Sequence, residues 1–201
     1  MRDYKFTEEF ARWAFEIKCQ ETNDWYIAFT NPTAGPWKAI TAIDKNGEEG
    51  VVYTFDSHEK RPDIILVNDK LKIVIIVEAK SNIKDLTADD QCEKSTKVVA
   101  EIGKQLQKAR TNTFWGKRYM YHVFLGLLWG NENTISSSQY NTLFDSYHNE
   151  ILKYENIDKR AIIGIEVVKD ELALTCKLDG RNYEKGKISF DLDEIAKTFN
   201  L

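Results

Sequence analysis

Several features that would assign a chain to a class quickly are missing here. The 201 residues hold three cysteines, Cys19, Cys92 and Cys176, far apart and in no paired motif. That pattern excludes a disulfide framework and a cysteine zinc site and predicts free thiols in a reducing compartment. The histidines His58, His122 and His148 form no ligand spacing. A Gly-rich phosphate loop and a Ser or Cys nucleophile motif are also absent. The longest aliphatic run, Ile73 to Val77, is far too short for a bilayer. The opening Met1-Arg2-Asp3-Tyr4-Lys5 lacks the apolar stretch of a signal peptide. These absences predict a cytoplasmic protein with no membrane partner. Positive charge is short too, with 28 Lys and Arg against 32 Asp and Glu, for a net charge of −4. General attraction to nucleic acid needs a basic protein. Any DNA contact must therefore come from a local basic surface, and carboxylates kept for metal ions would themselves pull the total negative.

What is present suits one globular domain spanning 1–201, with 42% apolar and 30% charged residues and no repeat or linker. Phe6, Phe10, Trp13, Ala14 and Ile17 fall at helical spacing, predicting a helix over residues 7–20 with Thr7 as its N-cap. Residues 22–50 carry Asn31-Pro32, Gly35-Pro36 and Asn46-Gly47 and read as loop, with a short strand at 37–43. Val51–Phe55, Asp63–Val67 and Leu71–Ala79 read as strands, the last apolar on both faces and so central in a sheet. A helix over 87–110, a strand over Tyr121–Trp129, a helix over 138–153, a hairpin of Ala161–Val168 with Glu171–Leu178 and a terminal helix over Asp191–Phe199 complete the chain. This order predicts an α/β (α+β) fold with a mixed sheet flanked by helices.

The chemically informative segment is Arg61-Pro62-Asp63 followed by Glu78-Ala79-Lys80, with fourteen residues between Asp63 and Glu78. Glu78 and Lys80 are two apart on a strand, so they share a face. With a turn at Asn68–Leu71, Val67 pairs with Lys72 and Asp63 lies opposite Ile76, on that same face. Glu78 is then its diagonal neighbour, about 7–8 Å away between backbones. A turn one residue longer or shorter would send Asp63 to the other face. Two converging carboxylates repel each other, and a hard divalent cation with oxygen ligands relieves that repulsion. Such a cation polarises a phosphodiester and acidifies a bound water, while a nearby lysine orients the water, stabilises the transition state or serves as base. The bland alternative is a strand-end carboxylate paired with a lysine. It is disfavoured because charges ending so apolar a strand are costly without a purpose.

Asp63 after Pro62, with Glu78-Ala79-Lys80, resembles the signature of the PD-(D/E)XK nuclease superfamily. The resemblance implies a restriction-endonuclease-like core, helix–three antiparallel strands–helix–strand, over about residues 7–129, with additions for specificity or assembly over about 130–201. It implies that Asp63, Glu78 and the Ala79 carbonyl bind Mg2+, with Mn2+ able to substitute, and that Lys80 is catalytic. Family members often add a glutamate from the first helix. Glu9, Glu16 and Glu21 are available, and Glu16, which follows Phe15 beside the apolar stripe, is the choice. The exonuclease branch often pairs a Gln with a Tyr four residues on along the second helix. Gln105 and Gln107 are followed at that distance by Ala109 and Thr111, which weakens that branch.

Two segments mix basic and aromatic types: Arg110, Trp115, Lys117, Arg118, Tyr119 and Tyr121, and then Arg181, Tyr183, Lys185 and Lys187. Lys117, Arg118, Arg181 and Lys185 are the residues expected to contact DNA, although solvated loops produce the same pattern. The expected activity is that of a type II restriction endonuclease cutting double-stranded DNA to 5'-phosphate and 3'-hydroxyl ends, as a homodimer because a palindrome is cut on both strands. A repair or recombination nuclease of the same superfamily and a non-enzymatic DNA-binding module are the alternatives.

Overall fold

A computed structural model of the chain describes residues 3–22, 24–30, 39–43, 49–54, 61–68, 70–88, 90–107, 121–130, 136–158, 162–168, 173–179 and 188–189. The elements are α1 (Asp3–Glu21), β1 (Trp25–Thr30), β2 (Ala39–Ile43), β3 (Glu49–Thr54), β4 (Ile64–Asn68), β5 (Ile73–Lys80), α2 (Ile83–Leu86), α3 (Gln91–Gln107), β6 (His122–Gly130), α4 (Ser137–Ile151), β7 (Ile162–Val168), β8 (Ala173–Asp179) and β9 (Ile188–Ser189).

The apolar run Ile73–Val77 does what its composition dictates. β5 is buried on both faces and lies inside a seven-stranded sheet of order β1-β4-β5-β6-β7-β8-β9. The sheet is mixed. β4 is antiparallel to both of its neighbours β1 and β5, β5, β6 and β7 run parallel, and β8 is antiparallel to both of its neighbours β7 and β9. The parallel steps are those that need a long crossover, and α3 and α4 supply them. Both helices pack on one face, where Val98, Val99, Ile102, Leu143, Phe144 and Tyr147 meet Val74, Ile76, Leu125 and Leu127. On the other face Ala11 and Phe15 of α1 meet Leu66, Ile75, Val77 and Leu128.

Three local differences from the sequence expectations have physical causes. Trp25–Thr30 pairs antiparallel with β4 inside the sheet, where loop was expected. Its β-prone run Trp-Tyr-Ile-Ala-Phe-Thr ends just before the turn signals at Asn31-Pro32, and those signals have no hold on the residues that precede them. The expected strand Val51–Phe55 forms as β3, but it pairs with β2 in a separate two-stranded sheet. On α1 the buried stripe runs through Ala11 and Phe15, both fully buried, while Trp13 is 50% and Ile17 37% exposed. Ala11 and Phe15 stand four apart on one face of the helix and pack on the sheet together, so the large exposed side chains of Trp13 and Ile17 fall off that face.

α3 and α4 form close to their expected bounds. Ser136 caps α4 in a reciprocal capping box with Gln139. The β4–β5 turn is held by the buried Asn68, whose Oδ1 accepts the Leu71 amide at 2.9 Å, and by Lys72 at φ 57°. A left-handed residue with a side chain costs about 1–2 kcal/mol. Here the strands on either side and the ring of Tyr121, 5.6 Å from the Lys72 ammonium, hold it in place. The expected terminal helix over 191–199 lies outside the described residues.

No described helix is long and apolar enough to cross a membrane.

Candidate active site

The register of the β4–β5 hairpin decides whether Asp63 and Glu78 meet. Val67 pairs with Val74 and Asn68 with Ile73, so the pairing is displaced by two residues from the expected Val67–Lys72 pair. Side chains alternate with period two, and an even displacement keeps every residue on its face. Ile64 pairs with Val77, and the Asp63 amide donates to the Val77 carbonyl at 3.0 Å. Continued one residue past Ile64, this register sets Asp63 beside Glu78 rather than opposite Ile76. Ile65 and Val67 follow Asp63 on the face covered by α3 and α4, and Val74 and Ile76 precede Glu78 and Lys80 on the same face.

The groups close around the backbone of one residue, Ala79. Asp63 Oδ2 accepts the Ala79 amide at 2.6 Å. The Ala79 carbonyl accepts from Lys80 Nζ at 2.8 Å, and the same ammonium donates to Glu78 Oε1. Glu78 Oε1 also accepts from Gln91 Nε2 at 2.7 Å. Glu78 is only 6% exposed, at the end of a strand that is otherwise apolar. A carboxylate taken that far out of water costs several kcal/mol unless charge and hydrogen bonds compensate it, and the ammonium and the amide do so here. The cluster sits at the carboxyl end of the parallel pair β5 and β6, where open α/β sheets place ligands. Asn82 caps α2 just beyond it, accepting from the Lys84 and Asp85 amides.

Two carboxylates and a carbonyl form a hard, all-oxygen donor set suited to magnesium or manganese. The Lys80 ammonium already bridges Glu78 Oε1 and the Ala79 carbonyl, so these oxygens are arranged around a positive charge. Among the described residues no group of three or more His, Cys, Asp or Glu side chains could hold a metal alone. A cation here would draw on the carbonyl and on water as well, which is how magnesium is usually held.

The other expected site residues fall elsewhere. The structure does not bring Glu16 to the cluster. Its carboxylate accepts from Arg12 Nε at 3.0 Å, half exposed, on the helix that covers the opposite face of the sheet. Glu9 is exposed on that helix, and Glu21 pairs with Lys18 at 2.8 Å. The stripe that α1 buries, Ala11 and Phe15, packs on the face of the sheet opposite the one that Glu78 shares with Val74 and Ile76. Lys117, Arg118, Arg181 and Lys185 lie outside the described residues. His122 is at the far end of β5 and β6, 3.4 Å from Asp158, and His148 is buried in α4.

Gln91 is the site residue that sequence reasoning missed. Its signal was legible: Gln91 and Ser95 are polar, yet they stand four apart in line with Val98, Val99 and Ile102 on the stripe that α3 buries. Polar residues on a buried stripe need partners, and Glu78 is one of them. Gln105 and Gln107, weighed as site glutamines, lie at the far end of α3.

Comparison of the chain with protein-family models, with curated proteins and with solved structures gives no match.

Proposed function

We propose that the protein is a magnesium-dependent DNA endonuclease of the PD-(D/E)XK type, acting in sequence-specific cleavage as type II restriction enzymes do. One observation carries this reading: Asp63, Glu78, the Ala79 carbonyl and Lys80 converge at the end of β5 on one face of the sheet. The order α1, antiparallel β1–β4–β5, α3, β6, with β2, β3 and α2 interposed, also supports it, because it is compatible with the helix–three strands–helix–strand core that the resemblance implies.

Asp63, Glu78 and the Ala79 carbonyl would hold Mg2+, or Mn2+ in its place. When bound, that ion supplies an acidified water and relief of charge on the phosphodiester. Asp63 is fixed by the Ala79 amide, and Glu78 by Gln91, so neither carboxylate has to be ordered during the reaction. Lys80 carries a positive charge beside both oxygens at a position 26% exposed, within reach of a phosphate entering from solvent. Its role is to orient the attacking water and stabilise the negative charge that develops on the phosphoryl oxygens. The products would carry 5'-phosphate and 3'-hydroxyl ends. A homodimer would present two such sites to the two strands of a palindrome.

A repair or recombination nuclease of the same superfamily is the second reading, favoured by one observation. The glutamine that touches Glu78 comes from the second long helix, as in the exonuclease branch, although Ser95 stands four residues on where that branch has Tyr.

Digestion of plasmid DNA separates the readings. A few discrete bands that appear with magnesium and vanish in chelator are expected. Progressive shortening of linear duplexes from their ends, or cutting confined to branched junctions, would establish the second reading. No cleavage with any divalent ion would sink both.

A further inference from the structure

A polar cleft of about 190 Å3 lies between α2 and the start of α4, lined by Ile83, Lys84, Thr87, Ser138, Gln139 and Thr142. At about 30 Å3 for each water it could hold, it has room for a phosphodiester group. Both walls are pinned. Ile83 and Leu86 of α2 and Leu143 and Phe144 of α4 are buried in the core on the face of the sheet that Glu78 shares with Val74 and Ile76. α2 begins three residues past Lys80, so the cleft follows directly from the strand that carries the site.

What the cleft can bind depends on which protons are already committed. The Thr87 hydroxyl donates to the Lys84 carbonyl at 3.2 Å, and the Thr142 hydroxyl to the Ser138 carbonyl at 2.9 Å. The Ser136 amide can only donate, so it meets the oxygen end of Gln139, at 2.9 Å. The Ser136 hydroxyl donates to that same oxygen at 3.0 Å, which leaves the Ser138 hydroxyl, 2.9 Å from Ser136 Oγ, as the donor of that pair. The side-chain protons still available on the lining residues are those of the Lys84 ammonium on one wall and the Gln139 NH2 group on the other. No carboxylate lines the cleft. Asp85, next to Lys84, is held by its own cap, accepting from Ser81 Oγ at 3.2 Å and Asn82 Nδ2 at 2.7 Å. The first turn of α4 has no acidic residue to offset the positive end of that helix. A cation and an amide donor on opposite walls of a rigid cleft without acids suit an anion with several oxygens.

We propose that this cleft holds a backbone phosphate of the DNA strand next to the phosphate being cut, bridged by the Lys84 ammonium and the Gln139 amide. This rests on the reading of the protein as a DNA endonuclease and adds where the substrate backbone is held. Such contacts fix the register of the duplex and carry no sequence information. α4 lies beyond the implied nuclease core, so an added element supplies half of the phosphate site.

The test is fluorescence anisotropy of several duplexes of unrelated sequence, bound by the full-length protein in calcium over a range of salt. Lys84→Gln should weaken binding to all of them several-fold and reduce the slope of log affinity against log salt by about 1. Lys84→Arg should restore both, because a guanidinium also binds phosphate. Gln139→Glu is the sharper variant. Glutamate there completes the same capping box and suits the helix start, so the melting temperature should hold or rise. Binding should nevertheless fall, because an anionic oxygen replaces the donor to the phosphate. Wild-type affinity in Lys84→Gln or in Gln139→Glu, or a loss confined to one sequence, would overturn the proposal. Those results in a protein that cuts plasmid DNA would leave the nuclease reading intact. The expected losses in a protein that cuts no DNA with any divalent ion would instead refute that reading and leave the phosphate site standing. Wild-type protein that binds no duplex would refute both.

Discussion

Glu78 and Lys80 depend on each other unequally. Lys80 keeps part of its surface in water, whereas Glu78 is almost wholly withdrawn from it. Removing the lysine leaves a buried carboxylate with less compensation, which is the costlier way to break such a pair. Lys80→Ala should therefore melt lower than wild type without metal and recover more on adding Mg2+, a difference read by thermal denaturation. Equal Mg2+ shifts in the two proteins would contradict this. Asp63→Ala, Glu78→Ala and Lys80→Ala should each lower cleavage by roughly a thousandfold or more with the fold retained, as losses of transition-state stabilisation do. Near-normal cutting by a folded Glu78→Ala protein would refute the site. Cys19 and Cys92 make a separate residue-scale prediction. Burial, with Glu16 adding to it at Cys19 and Glu150 at Cys92, raises both thiols to about 12. At pH 8 their thiolate fraction should be about a thousandfold below that of an ordinary cysteine, measured site by site by alkylation and mass spectrometry. A raised folded pKa stabilises the protein below the unfolded thiol's pKa. That contribution should fade as pH climbs from about 9 toward 12.

At the scale of elements, the packing of α3 reverses a propensity argument. Gly103 is interior to that helix, and replacing glycine by alanine there would ordinarily stabilise by about 1 kcal/mol. A Cβ at Gly103, however, would stand 2.3 Å from the backbone carbonyl oxygen of Asn156. The helix or the segment after α4 would have to move. Gly103→Ala should thus destabilise, by about 1–3 kcal/mol in urea unfolding, and a stabilised variant would show that the helix and that carbonyl separate easily. Gly126 answers the same logic in β6, where a Cβ would meet Val77 and Ile75 side-chain methyls at 3.0 and 3.1 Å. The methyls can yield where a carbonyl cannot, so Gly126→Ala should cost less than Gly103→Ala.

For the whole molecule, a net charge of −4 limits the attraction to phosphate that drives non-specific binding. If the proposed nuclease reading holds, productive DNA binding must then combine a local basic surface with contacts to base edges. Neutralising Lys117, Arg118, Arg181 or Lys185 should weaken DNA binding, and any of them that reads a base should also relax sequence preference, as measured by competition between cognate and scrambled duplexes. Loss of all four without effect on binding would move the DNA surface elsewhere. Calcium should support binding without cutting, because its larger, looser oxygen shell places water and phosphate poorly. Full cleavage in calcium would argue against the cation chemistry proposed.

Sequence alone determined the local and periodic facts. Ile73–Val77 had to be an interior strand because it is apolar on both faces, and alternation alone put Glu78 and Lys80 on one side of it. Asp63 joined them because strand parity survives any even change of register, which is why a pairing displaced by two residues left the site intact. Everything that depended on a partner distant along the chain was decided by tertiary structure. Which strand edges β4 was settled by Trp25–Thr30 pairing across a long insertion, and no local signal encodes that choice. Which face α1 buries, through Ala11 and Phe15, was likewise decided by what it packs against, and Glu16 pairs with Arg12 on that helix. Gln91 was legible as a polar residue on a buried stripe, but that its partner is Glu78 was decided only when the crossover helix α3 landed on that face of the sheet.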